Sequence, residues 1–365
     1  MRILVVNAGS SSTKLRVVDP ADESGARADL AAIDASDIAT EGLRAAIVGL
    51  GRVQAVGHRV VHGGTEYRAA TLVDDHVVAR LTALADLAPL HQPASLAALA
   101  AARAVLPDVP HVACFDTAFH ATIPDAATTY ALPRDWRERW PIRRFGFHGL
   151  SHAYAARRAA ELLGQPLDEL QLVTAHLGAG ASLAAVAGGR SVDTTMGFTP
   201  LEGLVMATRS GSVDPGLLLW LQRTVGVDVD ALSDGLEHRS GLLGLGGTAD
   251  MRELLAAAED GSPDAALARD IYVHRLRAGI AAMAASMNGL DALVFTGGVG
   301  ENAAPIRGRA VDGLGFLGLS LDAQANERGA GDRVIGSAGG AADVLVVASR
   351  EEVEIARQVG SLLAS

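Results

Sequence analysis

Cysteine, long apolar runs and positive charge are all scarce in this chain of 365 residues, and each scarcity excludes a class of protein. The one cysteine, Cys114, excludes a disulfide framework within the chain and a cysteine-rich metal site. It stands in an apolar stretch, so we expect it to belong to the core of a protein from a reducing compartment. No apolar run reaches the roughly 18 residues of a membrane-spanning helix, and Met1 leads into a predicted strand instead of a signal peptide. A cytoplasmic protein is therefore expected.

The balance of charge argues against nucleic acid as a partner. Lys and Arg number 31 and Asp and Glu 42, which gives a formal net charge of −11, and only 4% of the residues are aromatic. A nucleic-acid-binding surface is typically basic, and the acidic balance of the whole chain does not favour one. Any phosphate group is therefore expected to be bound by a few local groups. The length predicts two domains, each large enough to bury a core.

Two glycine-rich turns, far apart in the sequence, share one layout. Residues 172–187 form an apolar run, a turn with Gly178 and Gly180, and a second apolar run, which predicts two strands joined by a hairpin. Residues 3–19 repeat this order around Gly9. Glycines leave main-chain N–H groups uncovered, so both turns suit a phosphate, and the repetition predicts two like domains that bind a nucleotide. The alternative is that such hairpins only reverse the chain.

Charged side chains stand at the ends of several predicted strands. Arg59 lies near the end of the strand that begins at residue 54, and Asp116 follows the strand 110–115. The carboxyl ends of strands are where α/β proteins build active sites. Arg209 lies between small residues that cannot screen it, so it is placed to reach a ligand. A structural arginine and a carboxylate that caps a turn remain the alternatives.

The other segments read mostly as helices. Residues 38–51 predict a short helix, and 77–105 predict two helices separated by a loop that contains His91. A helix at 153–163 is predicted with Ser151 as its N-cap, and His148 before it could meet an anion or form a buried pair. The expected elements that follow are a glycine-rich loop at 241–249 opening a helix, a long buried helix at 265–290, a strand at 291–296 with a third phosphate-compatible turn at 297–302, and a strand at 344–348 before a closing helix at 351–363.

Six motifs occur in the order that the acetate kinase family has them, and the chain resembles that family over nearly its whole length. They are residues 7–15, 58–64, 115–120, 145–152, 196–209 and 297–302. The family stands within the larger group of sugar kinases, actin and Hsp70-type ATPases. The resemblance implies an α/β protein with duplicated ribonuclease-H-like domains and a cleft between them. The expected boundaries are 1–117 plus 352–365 for one domain and 118–351 for the nucleotide-binding domain.

The resemblance also implies a homodimer that catalyses phosphoryl transfer between ATP and acetate with Mg²⁺ or Mn²⁺. By position it assigns the metal, directly or through water, to Asn7, Asp116 and Glu351. Arg59 and Arg209 would hold the carboxylate and the transferring phosphoryl group. The resemblance thus implies a catalytic set that consists of Arg59, Asp116, His148 and Arg209.

Two further sets of residues follow from the same resemblance. The substrate side is assigned to Arg59, Val61, Leu90, His91, Phe147 and Pro200, of which Val61, Leu90, Phe147 and Pro200 match the apolar positions around the acyl group. The nucleotide side is assigned to Lys14, His176, Gly178, Gly180, Asp250, Met251, Arg252, Gly297, Gly298, Gly300 and Asn302. Only a small alkyl group is expected to fit between the four apolar residues.

The sequence departs from the family pattern at two positions. Ala179 stands between two glycines where the family usually has asparagine, so one side-chain donor to a phosphate is missing. Arg350 precedes Glu351 in place of the usual asparagine. Both changes bear on phosphate affinity and not on the reaction class.

Three functions therefore stay open at this point. The first is an acetate kinase, and the second is a kinase that prefers propionate or butyrate. The third is a nucleotide-binding protein on the actin-like scaffold with little catalysis. Arg59, Arg209 and His148 favour the two kinases, because a nucleotide switch would not need two arginines directed at a carboxylate.

Overall fold

The computed structural model describes residues 1–8, 12–19, 27–31, 41–85 and 92–364. Two residues predicted to line the substrate side, Leu90 and His91, lie outside these described residues, as do residues 9–11 of the first predicted phosphate turn. No helix within the described ranges combines the length and hydropathy needed to cross a membrane.

The strands of the described residues are β1 Ile3–Ala8, β2 Ser12–Val18, β3 Arg27–Ala31, β4 Ala55–Val60, β5 Thr71–Leu72, β6 His111–Phe115, β7 Gln171–Leu177, β8 Ala181–Ala187, β9 Arg190–Thr194, β10 Ala292–Thr296, β11 Arg333–Val334 and β12 Asp343–Val346. The helices are α1 Glu41–Gly49, α2 Asp75–Ala83, α3 Gln92–Val105, α4 Asp125–Thr128, α5 Arg134–Arg139, α6 Gly149–Leu163, α7 Pro215–Trp220, α8 Val229–His238, α9 Gly241–Gly246, α10 Met251–Glu259, α11 Pro263–Met287, α12 Gly297–Asn302, α13 Ala304–Asp312, α14 Ala323–Glu327 and α15 Glu351–Ala364.

These strands form two sheets that repeat one topology. The first has the order β3-β2-β1-β4-β6-β5, in which β1, β2 and β3 are antiparallel neighbours and β1, β4 and β6 run parallel. The second has the order β11-β12-β10-β7-β8-β9, in which β7, β8 and β9 are antiparallel neighbours and β7, β10 and β12 run parallel. The predicted duplication and the predicted hairpin of β7 and β8 are thereby confirmed.

Contacts divide the chain into two compact units. The first comprises Met1–Ala121, Phe147–Tyr154 and Arg350–Ser365, and the second comprises Thr122–Gly146 and Ala155–Ser349. The sequence predicts a single change of domain near residue 117 and a return near 352. The division by contacts differs chiefly in Phe147–Tyr154, which packs with the first unit because the Gly149 N–H donates to the Asp116 carbonyl oxygen at 2.9 Å.

Both faces of the first sheet are covered by helices. In β1, Leu4 and Val6 join a buried cluster with residues of α1 and α3, whereas Ile3 and Val5 join a cluster with residues of α15. Strands buried on both faces read as continuous apolar runs, which is why the sequence predicts them. Gly57 in β4 permits the close approach of α15, because a Cβ there would lie 2.5 Å from the Cγ2 atom of Ile355.

Local structure differs from the predictions in several elements. Strand β3 is unpredicted, because the alternation of Ala28 and Leu30 with Arg27 and Asp29 covers only five residues within a polar, Ala-rich part of the sequence. Helix α6 begins at Gly149, so Ser151 lies inside the helix and is not its N-cap. The glycine-rich stretches at Gly241–Gly246 and Gly297–Asn302 are short helices and not a loop and a turn. Gly246 shows the reason for the first of these, since a Cβ there would lie 3.1 Å from the Cβ atom of Ala268, so the glycine permits close helix packing.

Cys114 is fully buried in β6, as predicted. Burial raises the pKa of its thiol, and the nearby Glu354 carboxylate acts in the same direction. The thiol is therefore protonated and unreactive at neutral pH.

Three histidines of the first unit are buried in their neutral form. His58 Nε2 lies 2.9 Å from His111 Nδ1, and His111 Nε2 lies 2.9 Å from the Leu106 carbonyl oxygen. Because that carbonyl accepts, His111 carries its proton on Nε2 and accepts at Nδ1 from His58. His62 Nδ1 accepts from the Gly64 N–H at 2.8 Å. Burial lowers the pKa of His58 well below its usual value, lowers that of His111, and lowers that of His62 to about 4.

We predict that the protein loses stability on mild acidification. A neutral buried histidine with a lowered pKa makes its full contribution to the free energy of unfolding above about pH 6.5, where the unfolded side chain is also neutral. Below that pH the contribution falls by about 1.4 kcal/mol per pH unit, because the unfolded form gains a proton. For His62 the loss extends down to pH values near its folded pKa of about 4. The free energy of unfolding in urea should therefore fall between pH 6.5 and 5, and less so in His62→Asn than in the parent. The exposed His76 provides the control, since His76→Gln should keep the parental slope. An equal acid-induced loss in His62→Asn and the parent would contradict the assignment.

Candidate functional site

Three of the predicted site residues meet at one edge of the first sheet. Asn7 lies on β1, Arg59 on β4, and Asp116 directly after β6, which are neighbouring parallel strands. The Arg59 guanidinium donates from Nη2 to Asp116 Oδ2 at 2.7 Å and from Nε to the same oxygen at 3.1 Å. Its Nη1 donates to Asn7 Oδ1 at 3.2 Å. The fork of Arg59 is thus held by two partners from adjacent strands.

Glu351, the first residue of α15, completes this group, which we name the strand-end cluster (Asn7, Arg59, Asp116 and Glu351). Asn7 Nδ2 donates to Glu351 Oε2 at 3.1 Å, and Arg59 Nε lies 3.6 Å from that oxygen. The side chain of Asp116 is 1% exposed, that of Glu351 13% and that of Arg59 18%. The cluster therefore holds two carboxylates against one guanidinium in a largely dry setting.

The charges of the strand-end cluster follow from burial and from each other. Burial raises the pKa of Asp116 to about 6 against the lowering effect of the Arg59 guanidinium, and the Glu351 carboxylate adds to the rise. For Arg59, burial opposes the charged form, but Asp116 and Glu351 outweigh it and hold its pKa above the usual range. At neutral pH the cluster consequently has an excess of negative charge beside a permanent cation.

A hard cation fits this donor set. In the described part of the chain no three His, Cys, Asp or Glu side chains are grouped so that they could hold a metal ion by themselves. Mg²⁺ needs fewer, because it keeps several water ligands and takes one or two carboxylates from the protein. The oxygens of Asn7, Asp116 and Glu351 offer that number.

His148 has an unusual backbone beside the strand-end cluster. Its φ is 57°, a left-handed conformation that is uncommon outside glycine and is often found at functional sites. The residue that follows, Gly149, allows this turn to approach Asp116, since a Cβ at Gly149 would overlap the Asp116 carbonyl oxygen. Phe147 and Val61 are both buried in the same unit, and the Phe147 ring lies edge-on to His62 with 5.6 Å between ring centroids.

The second unit contains a cavity of about 690 Å³, a volume typical of small-molecule sites. Six of the predicted nucleotide residues line it, namely Gly178, Asp250, Met251, Arg252, Gly298 and Asn302. The other lining residues, which are not among those assigned to the nucleotide, are Ala179, Ala207, Leu242, Ala249, Leu255, Tyr272, Val299, Ala303 and Pro305. The cavity wall is therefore mostly apolar, with a few polar groups along it.

Backbone geometry brings these lining segments together. In the turn between β7 and β8, the Gly178 N–H donates to the Gly180 carbonyl oxygen at 2.9 Å. Gly297 has a φ of 78°, and a Cβ there would lie 2.8 Å from the Leu177 carbonyl oxygen, so this position requires glycine. Asp250 caps α10 by accepting from the Arg252 N–H at 2.8 Å, and hydrogen bonds from the Arg252 guanidinium, together with this cap, lower the pKa of Asp250 to about 2.

Five predicted nucleotide residues do not line the cavity. His176 lies on β7, Gly180 in the turn between β7 and β8, and Gly297 and Gly300 in α12, each within two residues of a lining residue. Lys14 belongs to the first unit, where it is exposed on β2 opposite Asn7 in the strand register.

Arg209, in the second unit, carries a charge without a fixed partner. Among the described residues no carboxylate lies within 4.0 Å of its guanidinium, and its Nη1 lies 3.9 Å from the Met206 sulfur. Burial lowers the pKa of Arg209, while the more distant Glu237 opposes the shift. A half-buried guanidinium with no described carboxylate within 4.0 Å is well suited to receive an anionic ligand.

Comparison with known proteins identifies the family of the chain. The model of the Acetokinase family matches residues 36–357. The chain belongs to this family. An acetate kinase from Deinococcus deserti is 47% identical over 100% of this chain and 98% of its own length, and one from Leifsonia xyli is 46% identical over 98% and 97%.

Solved structures of the family confirm the fold. The acetate kinase of Porphyromonas gingivalis matches with a TM-score of 0.90 at 35% identity over 99% of each chain. A propionate kinase from Francisella tularensis matches with a TM-score of 0.89 at 37% identity over 98% of each chain. The predicted fold class, duplicated α/β domains of the ribonuclease-H-like type, is therefore correct.

We predict that nucleotide affinity depends on the space above Gly298. A Cβ at this cavity-lining position would meet no protein atom within 4 Å, so Gly298→Val narrows the cavity without straining the fold. The dissociation constant of ADP, measured by calorimetry, should rise about tenfold or more, since steric overlap costs about 1–3 kcal/mol. The control is Gly315→Val, at an exposed glycine with the same open surroundings that does not line the cavity. Unchanged ADP affinity in Gly298→Val would place the nucleotide elsewhere.

Proposed function

We propose that this protein transfers the terminal phosphoryl group of ATP to acetate, giving acetyl phosphate and ADP, and catalyses the reverse reaction. Family membership and the acetate kinases among its relatives support the reaction class. The observation that carries the proposal is the state of Arg59, whose guanidinium is held by Asp116 and Asn7 while remaining partly exposed. A fixed, permanently charged fork is what recognition of a carboxylate requires.

Catalysis in this proposal is mainly neutralisation and positioning. Phosphoryl transfer spreads negative charge over three equatorial oxygens and needs little covalent help from the protein. Acetate is already ionised at neutral pH, so no strong general base is needed. Arg59 and Arg209 would bind the acetate carboxylate and the transferring group, and His148 would donate a further hydrogen bond. Asp116 would orient Arg59, consistent with its contacts to that guanidinium.

Mg²⁺, or Mn²⁺, would be held by Asn7, Asp116 and Glu351, directly or through water. When bound, the ion would neutralise phosphate charge and fix the phosphates in one orientation. The excess of carboxylate over guanidinium in the strand-end cluster supports this assignment. Because Asn7 and Glu351 already contact each other, little reordering of side chains would be needed.

The acyl group would lie against Val61, Phe147 and Pro200, together with Leu90. The first two are buried apolar side chains of the first unit, which supports a site for a small alkyl group. The likeness to a propionate kinase at 37% identity keeps propionate as the second candidate substrate.

We further propose a cytoplasmic homodimer. Leu217, Leu219 and Trp220 on α7 and the nearby Val225 are all exposed apolar side chains, which is consistent with a surface that a second copy covers. The buried free thiol of Cys114 is compatible with a reducing compartment. The net charge of −11 does not favour nucleic acid as a partner.

We predict that Arg59→Ala and Arg209→Ala each lower kcat by roughly 10²–10³, because charge-assisted contacts of this kind are strongest in the transition state. The experiment is a hydroxamate assay of acyl phosphate formed from ATP and Mg²⁺ with acetate, propionate or butyrate. ADP affinity should stay within a few-fold of the parent in Arg59→Ala, whose side chain does not line the cavity. Arg80→Ala, which removes an exposed arginine paired with Glu66 in the same unit as Arg59, is the matched control. Near-parental turnover in both site variants would contradict the mechanism, and faster turnover of propionate would select the second candidate.

A further inference from the structure

We propose that Tyr130, Arg144 and Glu202 form a positioning clamp that sets the carboxylate-binding side of the second unit. The clamp acts on residues 195–203, the loop that carries Pro200, and through the base of this loop on the turn that carries Arg209. This inference rests on the proposed function. It adds three residues that are not among those lining the cavity of the second unit.

The three side chains satisfy each other's polar groups. The Tyr130 hydroxyl donates to Glu202 Oε2 at 2.5 Å, and Arg144 Nη2 donates to Glu202 Oε1 at 2.7 Å. The Arg144 guanidinium carbon also lies 5.6 Å from the centre of the Tyr130 ring. The side chain of Arg144 is 16% exposed and that of Glu202 35%, so the ion pair is only partly screened by solvent. Both carboxylate oxygens of Glu202 are therefore engaged.

The same groups hold the backbone of the loop. Arg144 Nη1 donates to the Thr195 carbonyl oxygen at 3.2 Å and to the Met196 carbonyl oxygen at 2.9 Å. The Phe198 N–H donates to the Tyr130 hydroxyl at 2.9 Å. Thus each end of the clamp binds both Glu202 and the main chain of the loop.

Gly197 shows that this approach is close. A Cβ at this residue would overlap both the Glu202 carboxylate and the Tyr130 hydroxyl. Its carbonyl oxygen accepts from the Phe145 N–H at 3.0 Å. The loop is consequently packed against the clamp through its main chain, with no side chain between them.

The base of the loop connects it to Arg209. Gly203 has a φ of 113°, and a Cβ there would lie 2.8 Å from the Thr195 carbonyl oxygen, so the two ends of the loop meet. The Gly203 N–H donates to Ser212 Oγ at 3.0 Å, and the Ser212 N–H donates to the Gly203 carbonyl oxygen at 3.0 Å. Within the segment between Gly203 and Ser212, the Met206 N–H donates to the Arg209 carbonyl oxygen at 3.2 Å. A displacement of the loop base would therefore move Arg209.

A clamp that only stabilised the fold would affect both substrates alike. None of its three residues lines the cavity assigned to the nucleotide, whereas both segments that it holds carry residues assigned to the carboxylate. Loss of the clamp should consequently alter recognition of acetate and spare recognition of ADP. A change in the KM for acetate without a change in ADP affinity would therefore distinguish positioning from a purely structural role.

The test uses Tyr130→Phe, which removes one hydroxyl and keeps the ring beside Arg144, and Glu202→Gln, which keeps the shape and removes the charge. We expect the KM for acetate to rise about tenfold in each, since loss of a hydrogen bond to a charged group costs about 1.5–3 kcal/mol. The dissociation constant of ADP should stay within about twofold, which is well under the 1.4 kcal/mol of a tenfold change. In parallel, hydrogen exchange of the amides of residues 197–203 and 209–212 should accelerate in both variants, and exchange of the cavity-lining amides should not.

The matched control is Asp332→Asn, which breaks another ion pair of the second unit, that of Asp332 with Arg158 Nε at 2.7 Å. This variant should lose stability without changing either the KM for acetate or exchange in the two segments. Parental exchange in folded Tyr130→Phe, or equal losses in acetate and ADP recognition, would overturn the clamp. Hydrogen exchange needs no turnover, so accelerated exchange in a protein that phosphorylates no short carboxylate would support the clamp and refute the proposed function instead.

Discussion

The contact of Arg59 with Asp116 is the interaction on which the first unit's site depends. Its two partners sit at the ends of neighbouring parallel strands, so the order of the sheet places them together before any ligand arrives. A largely buried guanidinium without a carboxylate beside it would destabilise the folded protein. With Asp116 and Glu351 present, the guanidinium stays charged. The two carboxylates carry more negative charge than one guanidinium balances, which favours a bound cation. Stability and chemistry thus use the same contacts.

The second unit follows another principle, since its site is made mainly by backbone geometry. Glycines at 178 and 298 border an apolar cavity with main chain, and Arg209 brings a guanidinium that has no described carboxylate within 4.0 Å. The Arg209 guanidinium must therefore be held in position by the main chain around it. The loop closed at Gly203 and fastened to Tyr130, Arg144 and Glu202 provides that support.

Sequence reasoning indicated those candidate residues that have a signal in the local sequence. Arg59 lies near the end of a predicted strand, Asp116 follows an apolar run, and the glycines of the β7–β8 turn separate two apolar runs, so each has a local signal. Tyr272 has none, because an aromatic residue at helical spacing in α11 reads as core although it lines the cavity. Glu202 and Tyr130 are separated by 72 residues, and no local pattern announces a contact over that distance.

The glycine-rich stretches 241–246 and 297–302, expected as a loop and a turn, are helical for a related reason. In a sequence, a glycine that turns the chain cannot be distinguished from one that lets two helices approach. Gly246 belongs to the second kind, since Leu254 and Ala268 occupy the space of its missing Cβ, and the segment is therefore helical. The resemblance to the family identified the fold as a whole, while the packing of such segments required the structure.

The central claim is that Asp116 acts by holding Arg59, and a double-mutant cycle tests it directly. Turnover of acetate would be measured for Arg59→Ala, Asp116→Asn and the double variant at saturating ATP and Mg²⁺. If Asp116 works through Arg59, its removal should cost much less once Arg59 is absent, with a coupling free energy above about 1 kcal/mol. Losses that add to within about 0.5 kcal/mol would show that the two residues act independently, which would contradict the account.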